Sequence, residues 1–198
     1  MVTIGLTGEL GVGKSTVAGF FCQKGAAVLD ADSLAHRLME PNQPVFRKVV
    51  KKFGPQILKN GRIDRAQLGR MVFADPRKLR ILNRLVHPAT ISAIKSHVRG
   101  IGRRHPRAII VIEVPLLIET GLDRWVDHCL VVKASRKKQL ERLQKSRRLS
   151  RTQALKIIQN QMSTKTKMKY ADFVIDNGGS LPATKKQVER IWEQLKHF

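Results

Sequence analysis

The stretch GELGVGKS, at residues 8–15, decides the fold. It fits the pattern G-x-x-x-x-G-K-[ST], in which the backbone N–H groups of a glycine-rich loop surround phosphate oxygens. In this pattern Lys14 reaches the β- and γ-phosphates, and the Ser15 hydroxyl binds Mg²⁺. A strand-like apolar run at residues 2–6 precedes the stretch, and apolar residues at helical spacing follow it. The sequence therefore predicts a phosphate-binding loop between a strand and a helix; the alternative is a plain glycine-rich turn.

Two carboxylates follow the next predicted strand. Residues 26–29 form a short apolar run that ends at Asp30-Ala31-Asp32, and this order of elements predicts a parallel sheet covered by helices. Side chains two residues apart on a strand share a face, so we expect Asp30 and Asp32 to lie together at the edge of the sheet that carries the loop. A carboxylate there can accept a proton from an attacking hydroxyl group or hold the shell of a metal ion. The alternative is that one of them only caps a helix beginning at Ser33.

The rest of the chain shows further helical and strand patterns. Residues 33–105 are predicted to be mostly helical, with one helix from Asp75-Pro76 to about His87-Pro88 and another over residues 91–101. Ser150 and Gln153 form a capping box, which predicts the start of a helix. Further strands are predicted at residues 109–114, 129–132 and 173–175, and further helices from Ser135 and over residues 188–195.

The composition excludes several classes of protein. The chain has 198 residues, 42% of them hydrophobic, which suits one domain with its own core. Its longest apolar run, residues 108–118, is shorter than the roughly 20 residues that span a bilayer, and the N-terminus lacks a signal-peptide pattern. Two cysteines, Cys22 and Cys129, are too few for a disulfide scaffold or a four-ligand zinc site. We therefore expect a single-domain cytoplasmic protein with no membrane partner.

The net charge of +23 has three interpretations. It can reflect a generally basic surface, a site for a polyanionic small molecule, or a surface for nucleic acid. Residues 133–169 hold thirteen basic residues against one acidic residue, Glu141. No nucleic-acid-binding motif accompanies this stretch, so we expect no specific nucleic-acid partner. The oligomeric state is left open by the sequence.

Further motifs occur in an order that resembles the dephospho-coenzyme A kinase family almost from end to end. They are GLTG at residues 5–8, DAD at 30–32, GRIDR at 61–65, VF at 72–73, LN at 82–83, HP at 87–88, PLLIE at 115–119, Gln139-x-x-Arg142, Gln161, and AD-x-VI-x-N at 171–177. The phosphate loop alone is shared by many unrelated NTPases, whereas the later motifs in this order are far more specific.

The resemblance implies an α/β P-loop NTPase fold in one kinase domain, residues 1–198. Its five-stranded parallel sheet, flanked by helices, would comprise about residues 1–32, 106–135 and 170–198. A helical substrate-binding region would cover about 33–105 and a lid about 136–165. The implied reaction is ATP-dependent phosphorylation, with Mg²⁺, of the ribose 3′-hydroxyl of dephospho-coenzyme A. Two alternatives remain: a kinase for another nucleoside or nucleotide, and a P-loop ATPase that acts on nucleic acid.

The resemblance also implies roles for individual residues. Asp32 would be the general base, and Lys14 and Arg142 would neutralise charge on the transferred group. The ATP-binding residues would be Gly8, Gly11, Val12, Gly13, Lys14, Ser15, Thr16 and Asn177, with Ser15 on the metal. The acceptor-binding residues would be Asp32, Arg65, His87, Pro88, Leu116, Leu117 and Glu119. The alternatives are that His87 is a helix-end residue, that Leu116 and Leu117 belong to the core, and that Asn177 serves only its glycine-rich turn.

The chain departs from the family pattern at three places. Glu9 replaces the usual glycine after Gly8, and we expect its side chain to point outward because it would otherwise repel phosphate. Glu113 stands where an aspartate or an apolar residue is more usual. In the lid, Ser146 occupies the place of a second arginine, which leaves Arg147 as a substitute.

Overall fold

The computed structural model describes residues 1–147, 150–159 and 161–197. Its main sheet has five strands in the order β2-β5-β1-β6-β7, and β1 pairs in parallel with both of its neighbours. Because β5 lies between β1 and β2, the first two strands of the chain are not neighbours. The predicted five-stranded parallel α/β fold is confirmed. The strands are β1 (Val2–Thr7), β2 (Ala27–Asp30), β3 (Leu58–Lys59), β4 (Arg62–Ile63), β5 (Ile109–Glu113), β6 (His128–Lys133) and β7 (Phe173–Asp176).

The helices account for most of the described residues outside the sheet. None of the described helices combines the length and apolar composition that crossing a membrane requires. The helices are α1 (Lys14–Gln23), α2 (Ala31–Leu38), α3 (Pro44–Phe53), α4 (Arg65–Phe73), α5 (Pro76–Arg104), α6 (Arg136–Arg147), α7 (Arg151–Gln159), α8 (Thr164–Lys167) and α9 (Leu181–Leu195).

The chain forms two compact units. The sheet unit comprises residues 1–29 and 101–198, and the helical unit comprises residues 30–100. The functional division into core, substrate-binding region and lid stays a prediction.

The core of the sheet unit lies between the sheet and helices α1 and α9. Alternate residues of β1, among them Ile4 and Leu6, are fully buried there. Phe21 of α1 and Trp192 of α9 meet with their ring centroids 6.5 Å apart. This packing fixes the N-terminus of α1 relative to β1, and so positions the loop between them.

The helical unit has a core of its own, formed mainly by one face of α3 together with residues of α4 and α5. It also contains the two-stranded hairpin β3–β4, which the sequence analysis did not predict. The turn between these strands is Asn60-Gly61, and both residues have positive φ, 51° and 73°. Such a pair is favoured in tight hairpin turns.

The predicted helix break at His87-Pro88 is wrong. Helix α5 runs without interruption through Pro88, although an interior proline loses a backbone hydrogen bond and costs about 3 kcal/mol. Val86, Thr90, Ile94 and Val98 are buried at intervals of four residues on both sides of the proline, so tertiary packing offsets the local cost. The Thr90 hydroxyl also donates to the Val86 carbonyl oxygen at 3.0 Å.

The capping box at Ser150 and Gln153 is confirmed. The Ser150 backbone N–H donates to Gln153 Oε1 at 2.9 Å, and the Gln153 N–H donates to Ser150 Oγ at 3.2 Å. Helix α7 begins at the next residue, Arg151.

Candidate active site

The loop at residues 8–15 has the backbone geometry of a phosphate-binding loop. Gly8, Gly11 and Gly13 all have positive φ. A Cβ atom on Gly13 would lie 2.1 Å from Asn177 Nδ2, and one on Gly8 would lie 2.5 Å from the Val132 carbonyl oxygen. Glycine is therefore required at both positions by space as well as by φ. The loop follows β1 and ends at α1, as predicted.

The Lys14 side chain lies against this loop. Its exposed fraction is 7%, and its ammonium group donates to the carbonyl oxygens of Gly8 and Glu9 at 3.1 and 3.3 Å. These bonds hold the charge within the curve of the loop, where it suits a polyphosphate. Its role in phosphate transfer stays a prediction.

Ser15, in the first turn of α1, is hydrogen-bonded to the acidic end of β5. Its hydroxyl donates to Glu113 Oε1 at 3.0 Å. Hydroxyl and carboxylate oxygens are the ligands that Mg²⁺ prefers, so this pair fits such an ion. The described residues contain no cluster of three or more His, Cys, Asp or Glu side chains suited to a metal, so a bound cation would take further oxygens from phosphate and water. Thr16, the next residue, is exposed.

The sequence analysis noted Glu113 only as a departure from the family and missed it as a site residue. The available signal was its place at the end of a predicted buried strand. In the structure that strand pairs with β1, with Glu113 opposite Leu6.

Arg142 and Asn177 lie together against the last part of the loop. The Arg142 guanidinium donates to the carbonyl oxygens of Val12 and Asn177, both at 2.9 Å. Asn177 is buried; its Nδ2 donates to Val12 O at 2.8 Å, and its Oδ1 accepts from the Thr184 hydroxyl at 2.9 Å. The alternative that Asn177 serves only its turn is therefore wrong. Contact of either residue with ATP stays a prediction.

The prediction that Glu9 points outward is wrong. Its exposed fraction is 4%, and its carboxylate accepts hydrogen bonds from Gln139 Nε2 at 2.8 Å and from the Thr164 backbone N–H at 3.0 Å. The Arg136 guanidinium lies 3.5 Å from the same carboxylate. The repulsion that suggested an outward side chain is thus offset by one cation and two donors.

The motif PLLIE contributes to the structure of the sheet unit. Leu117 is fully buried, and its Cδ2 lies 2.6 Å from where a Cβ on Gly5 would be, so it belongs to the core. Leu116 is half-buried. The Glu119 carboxylate pairs with the ammonium of Lys167, a completely buried lysine that the sequence analysis missed among its basic neighbours. Roles of these three motif residues in binding an acceptor stay predictions.

The two aspartates do not lie on the same strand, because Asp30 is the last residue of β2 and Asp32 belongs to α2. Helix α2 begins at Ala31 rather than Ser33, and Asp30 caps it by accepting from the Asp32 backbone N–H at 2.9 Å and from the Ser33 hydroxyl at 2.5 Å. The capping alternative is thus correct for Asp30. Asp32 is exposed, in the first turn of α2.

A cavity of about 550 Å³ within the helical unit brings together Asp32 and Arg65. Asp64 positions Arg65 by capping α4: its carboxylate accepts from two backbone N–H groups, and these bonds lower the pKa of Asp64. Arg62 and Phe73 also line the cavity, and Phe73 is 68% exposed. The cleft therefore holds two guanidinium groups, an aromatic ring and two carboxylates, Asp32 of α2 and Glu40, which lies 3.7 Å from the Arg62 guanidinium.

The cavity wall also includes His36, whereas His87 and Pro88 do not line it. Burial lowers the pKa of His36, and the charge of Arg65 lowers it further. Burial also lowers the pKa of His87, which favours its neutral form near pH 7. Because α5 continues past His87, the alternative that it ends a helix is wrong. Binding of an acceptor by His87 and Pro88 stays a prediction.

The second lid arginine lies outside the described part of the chain. The side chains of Ser146 and Arg147, and all of Arg148, are not among the described residues.

Comparison with known proteins identifies the family. The family model described as dephospho-CoA kinase matches residues 2–183. A dephospho-CoA kinase of Symbiobacterium thermophilum is 45% identical over 97% of this chain and 80% of its own, and one of Syntrophus aciditrophicus is 42% identical over 98% and 83%. The crystal structure of TT1252 from Thermus thermophilus superposes with a TM-score of 0.81 at 32% identity, covering 98% of this chain and 97% of that one. With this match and a phosphate loop of the required geometry, the chain belongs to the dephospho-CoA kinase family.

Proposed function

We propose that this chain transfers the γ-phosphoryl group of ATP to the ribose 3′-hydroxyl of dephospho-coenzyme A and so forms coenzyme A. The observation that carries the proposal is the phosphate loop: Lys14 and Ser15 belong to it, and the Arg142 guanidinium of α6 donates to its Val12 carbonyl oxygen. The acceptor is indicated by the dephospho-CoA kinase family model, which matches nearly the whole chain, residues 2–183.

ATP binding is assigned to the loop and its immediate neighbours. The backbone N–H groups of the loop, from Gly8 to Thr16, would surround the phosphates, and Lys14 and Arg142 would offset their charge. Mg²⁺, when bound, supplies further charge neutralisation between the phosphates. The Ser15 hydroxyl would be its direct protein ligand. Glu113 would orient that hydroxyl, because the two are already hydrogen-bonded.

The acceptor chemistry is assigned to Asp32. The acceptor's 3′-oxygen attacks the γ-phosphorus, the bond to the oxygen between the β- and γ-phosphates breaks, and ADP leaves. The proton of the 3′-hydroxyl passes to the Asp32 carboxylate, which is exposed and so accessible to it. Arg65 would supply positive charge in the cavity that Asp32 lines, which suits the acceptor's pyrophosphate. Arg62 lines the same cavity and is paired there with Glu40 at 3.7 Å.

The experiment is a test of acceptors at fixed ATP and Mg²⁺. ADP release is measured with dephospho-coenzyme A, adenosine, AMP, shikimate and single-stranded DNA, and the product is analysed by phosphorus NMR. We expect turnover with dephospho-coenzyme A alone and a new phosphomonoester on its ribose. Faster turnover with another small acceptor, or ATPase activity that depends on DNA, would contradict the proposal. Omission of Mg²⁺ and its restoration test the metal requirement separately.

We further propose that the reaction takes place in a reducing compartment such as the cytoplasm. Both cysteines of the chain, Cys22 and Cys129, are free thiols in the structure.

A further inference from the structure

The phosphate loop carries a buried acid next to the position expected to hold polyphosphate. The Glu9 side chain is 5% exposed, and a buried carboxylate beside an anion site is unfavourable unless it is paired. Its three neighbours are Arg136, Gln139 and the backbone N–H of Thr164. All three belong to the segment between β6 and β7, so the acid connects the loop to that segment.

Two of those neighbours lie on α6, the helix that also carries Arg142. Gln139 is 1% exposed, and besides donating to Glu9 it accepts from the Arg136 guanidinium at 2.8 Å. Gln139 and Arg142 are three residues apart and therefore lie on the same side of the helix. The Glu9 carboxylate thus contacts the first turn of α6 through Arg136 and Gln139, and Arg142 follows on the same side of the helix.

Helix α6 packs directly on the loop at this point. A Cβ on Gly11 would lie 3.0 Å from both the Gln139 carbonyl oxygen and Leu143 Cγ. Leu10, next to Glu9, packs with Leu143 of α6 and Ile158 of α7. Close packing at Gly11 and the polar contacts at Glu9 and Arg142 therefore hold α6 against the same loop.

The third contact connects Glu9 to the chain after α7. Thr164 begins α8, and its N–H donates to Glu9 Oε1 at 3.0 Å. The adjacent Leu10 N–H donates to Gln161 Oε1 at 2.8 Å. Two consecutive loop residues are therefore bonded to residues 161–164, which fixes the far end of the same segment.

We propose that Glu9 is a positioning residue that holds α6, and with it Arg142, in register with the phosphate loop. The inference rests on the proposed kinase reaction, because Arg142 is assigned to the transferred phosphoryl group there. Glu9 does not touch the reacting atoms. Its carboxylate is bound by Gln139 and Arg136 of α6 and by the Thr164 backbone N–H. Loss of the contact would displace Arg142 and lower kcat, while ATP would still bind to the loop.

The first test is Glu9→Gln, which keeps the size of the side chain but replaces one acceptor oxygen with an NH₂ donor. Either the Thr164 N–H or the donors of Gln139 and Arg136 then lose their acceptor. We expect kcat to fall about 10- to 100-fold, as small misplacements of catalytic groups do, with KM for ATP changed much less. The matched control is Glu193→Gln, an exposed acid paired with Lys196 on α9, which should leave kcat unchanged. Unchanged kcat in Glu9→Gln would overturn the proposal.

The second test exchanges the two side chains. The double variant Glu9→Gln with Gln139→Glu keeps a donor–acceptor pair at the same place and a carboxylate near Arg136. We expect it to recover most of the lost kcat. If Glu9→Gln alone fails to fold, kcat of this double variant still tests the proposal. A folded exchanged variant with kcat as low as the single variants would overturn the proposal.

The third test asks whether Glu9 acts through Arg142. In an Arg142→Ala background, Glu9→Gln should lower kcat little further, since groups that act as a unit are not additive. Fully additive losses would overturn the proposal. Hydrogen exchange of residues 136–147 gives a readout without turnover: it should be faster in Glu9→Gln and normal in the exchanged variant. If wild-type protein fails to phosphorylate dephospho-coenzyme A, the proposed function fails, whereas this exchange measurement still tests the contact.

Discussion

The ammonium group of Lys167 lies 2.8 Å from Glu119 Oε2 and 2.9 Å from Glu119 Oε1. The lysine side chain is completely buried, and the glutamate side chain is 23% exposed. The same ammonium donates to the Pro115 carbonyl oxygen at 2.8 Å. The short helix α8 is thereby attached to the loop that follows β5, and Glu119 is paired within the protein.

Lys167→Met should therefore destabilise the protein strongly. The change leaves Glu119 and the Pro115 carbonyl oxygen without their charged donor, and removal of one partner from such a pair costs about 2–4 kcal/mol where one side is partly exposed. Urea unfolding measures this as a lower midpoint with an unchanged slope. The control is Lys169→Met, at an exposed position two residues away, which should change the free energy of unfolding by less than about 0.5 kcal/mol. Equal effects of the two changes would contradict the assignment of the buried pair.

Lys14→Ala should abolish most of the phosphoryl transfer and leave the fold intact. Its ammonium is held inside the curve of the loop by two carbonyl oxygens, and loss of one preorganised cation or donor typically lowers kcat by about 10²–10³-fold. Steady-state ADP release gives kcat, and circular dichroism reports whether the fold is kept. A well-folded Lys14→Ala protein with wild-type turnover would show that residues 8–15 are not the phosphate site.

Asp30, the last residue of β2, and Asp32, in the first turn of α2, should respond differently to the same change. Asp32→Asn should lower kcat by about 10²-fold or more if Asp32 is the general base, with little change in ATP affinity. Asp30→Asn keeps a good helix cap and should leave both kcat and stability near wild type. Asp30→Ala should cost about 1 kcal/mol of stability through loss of the cap of α2. If Asp30→Asn lowers kcat more than Asp32→Asn does, the base is assigned to the wrong residue.

These two aspartates illustrate where sequence reasoning succeeded and where it did not. The strand-loop-helix order and the apolar runs predicted every strand of the main sheet. Strands β1, β5 and β6 are buried on both faces and have the nearly continuous apolar composition of such strands, whereas β2 and β7 are short apolar runs that are only partly buried. The exact end of β2 could not be predicted, since Asp30 suits both a strand end and a helix cap. The strand ends and the helix begins two residues earlier than expected, which places Asp32 in the first turn of α2 instead of on a strand.

Pro88 and Glu9 show a second limit. A proline predicts a helix end from local chemistry, and only the buried stripe on both sides of it, which is a tertiary property, explains why α5 continues. An acid in a phosphate loop likewise predicts an outward side chain from local chemistry alone, because its carboxylate would repel phosphate. Its partners Gln139 and Thr164 are 130 and 155 residues away, and nothing in the local sequence indicates that they meet it.

The two free cysteines should differ sharply in reactivity. Cys22 is exposed and Cys129 is buried in β6. Burial, with a further contribution from the Asp172 carboxylate, raises the pKa of Cys129 to about 11. Since the thiolate is the reactive form, a thiol reagent at pH 8 should modify one cysteine rapidly in native protein and two after unfolding. Cys22→Ser should remove the rapid reaction; a rapid reaction that persists would contradict the burial of Cys129.

The same raised pKa predicts a loss of stability at high pH. The unfolded chain releases the Cys129 proton near its ordinary pKa of 9.0, whereas the folded protein keeps it until about 11. The contribution is therefore fully present below pH 9 and is lost as the pH rises through 11. Cys129→Ala should flatten this part of the curve of unfolding free energy against pH, and Cys22→Ser should leave it unchanged.

The net charge of +23 should produce nucleic-acid binding that the kinase reaction does not need. Exposed lysines and arginines attract any polyanion, and this attraction weakens as the Debye length falls from about 10 Å at 0.1 M salt to about 3 Å at 1 M. We expect weak DNA and RNA binding at low salt, with a steep loss of affinity across a salt series and no sequence preference. Fluorescence anisotropy with labelled oligonucleotides measures the affinity, and kinase turnover is measured with and without the same oligonucleotides. Turnover stimulated by nucleic acid, or selective binding that survives 0.5 M salt, would instead favour a P-loop ATPase that acts on nucleic acid.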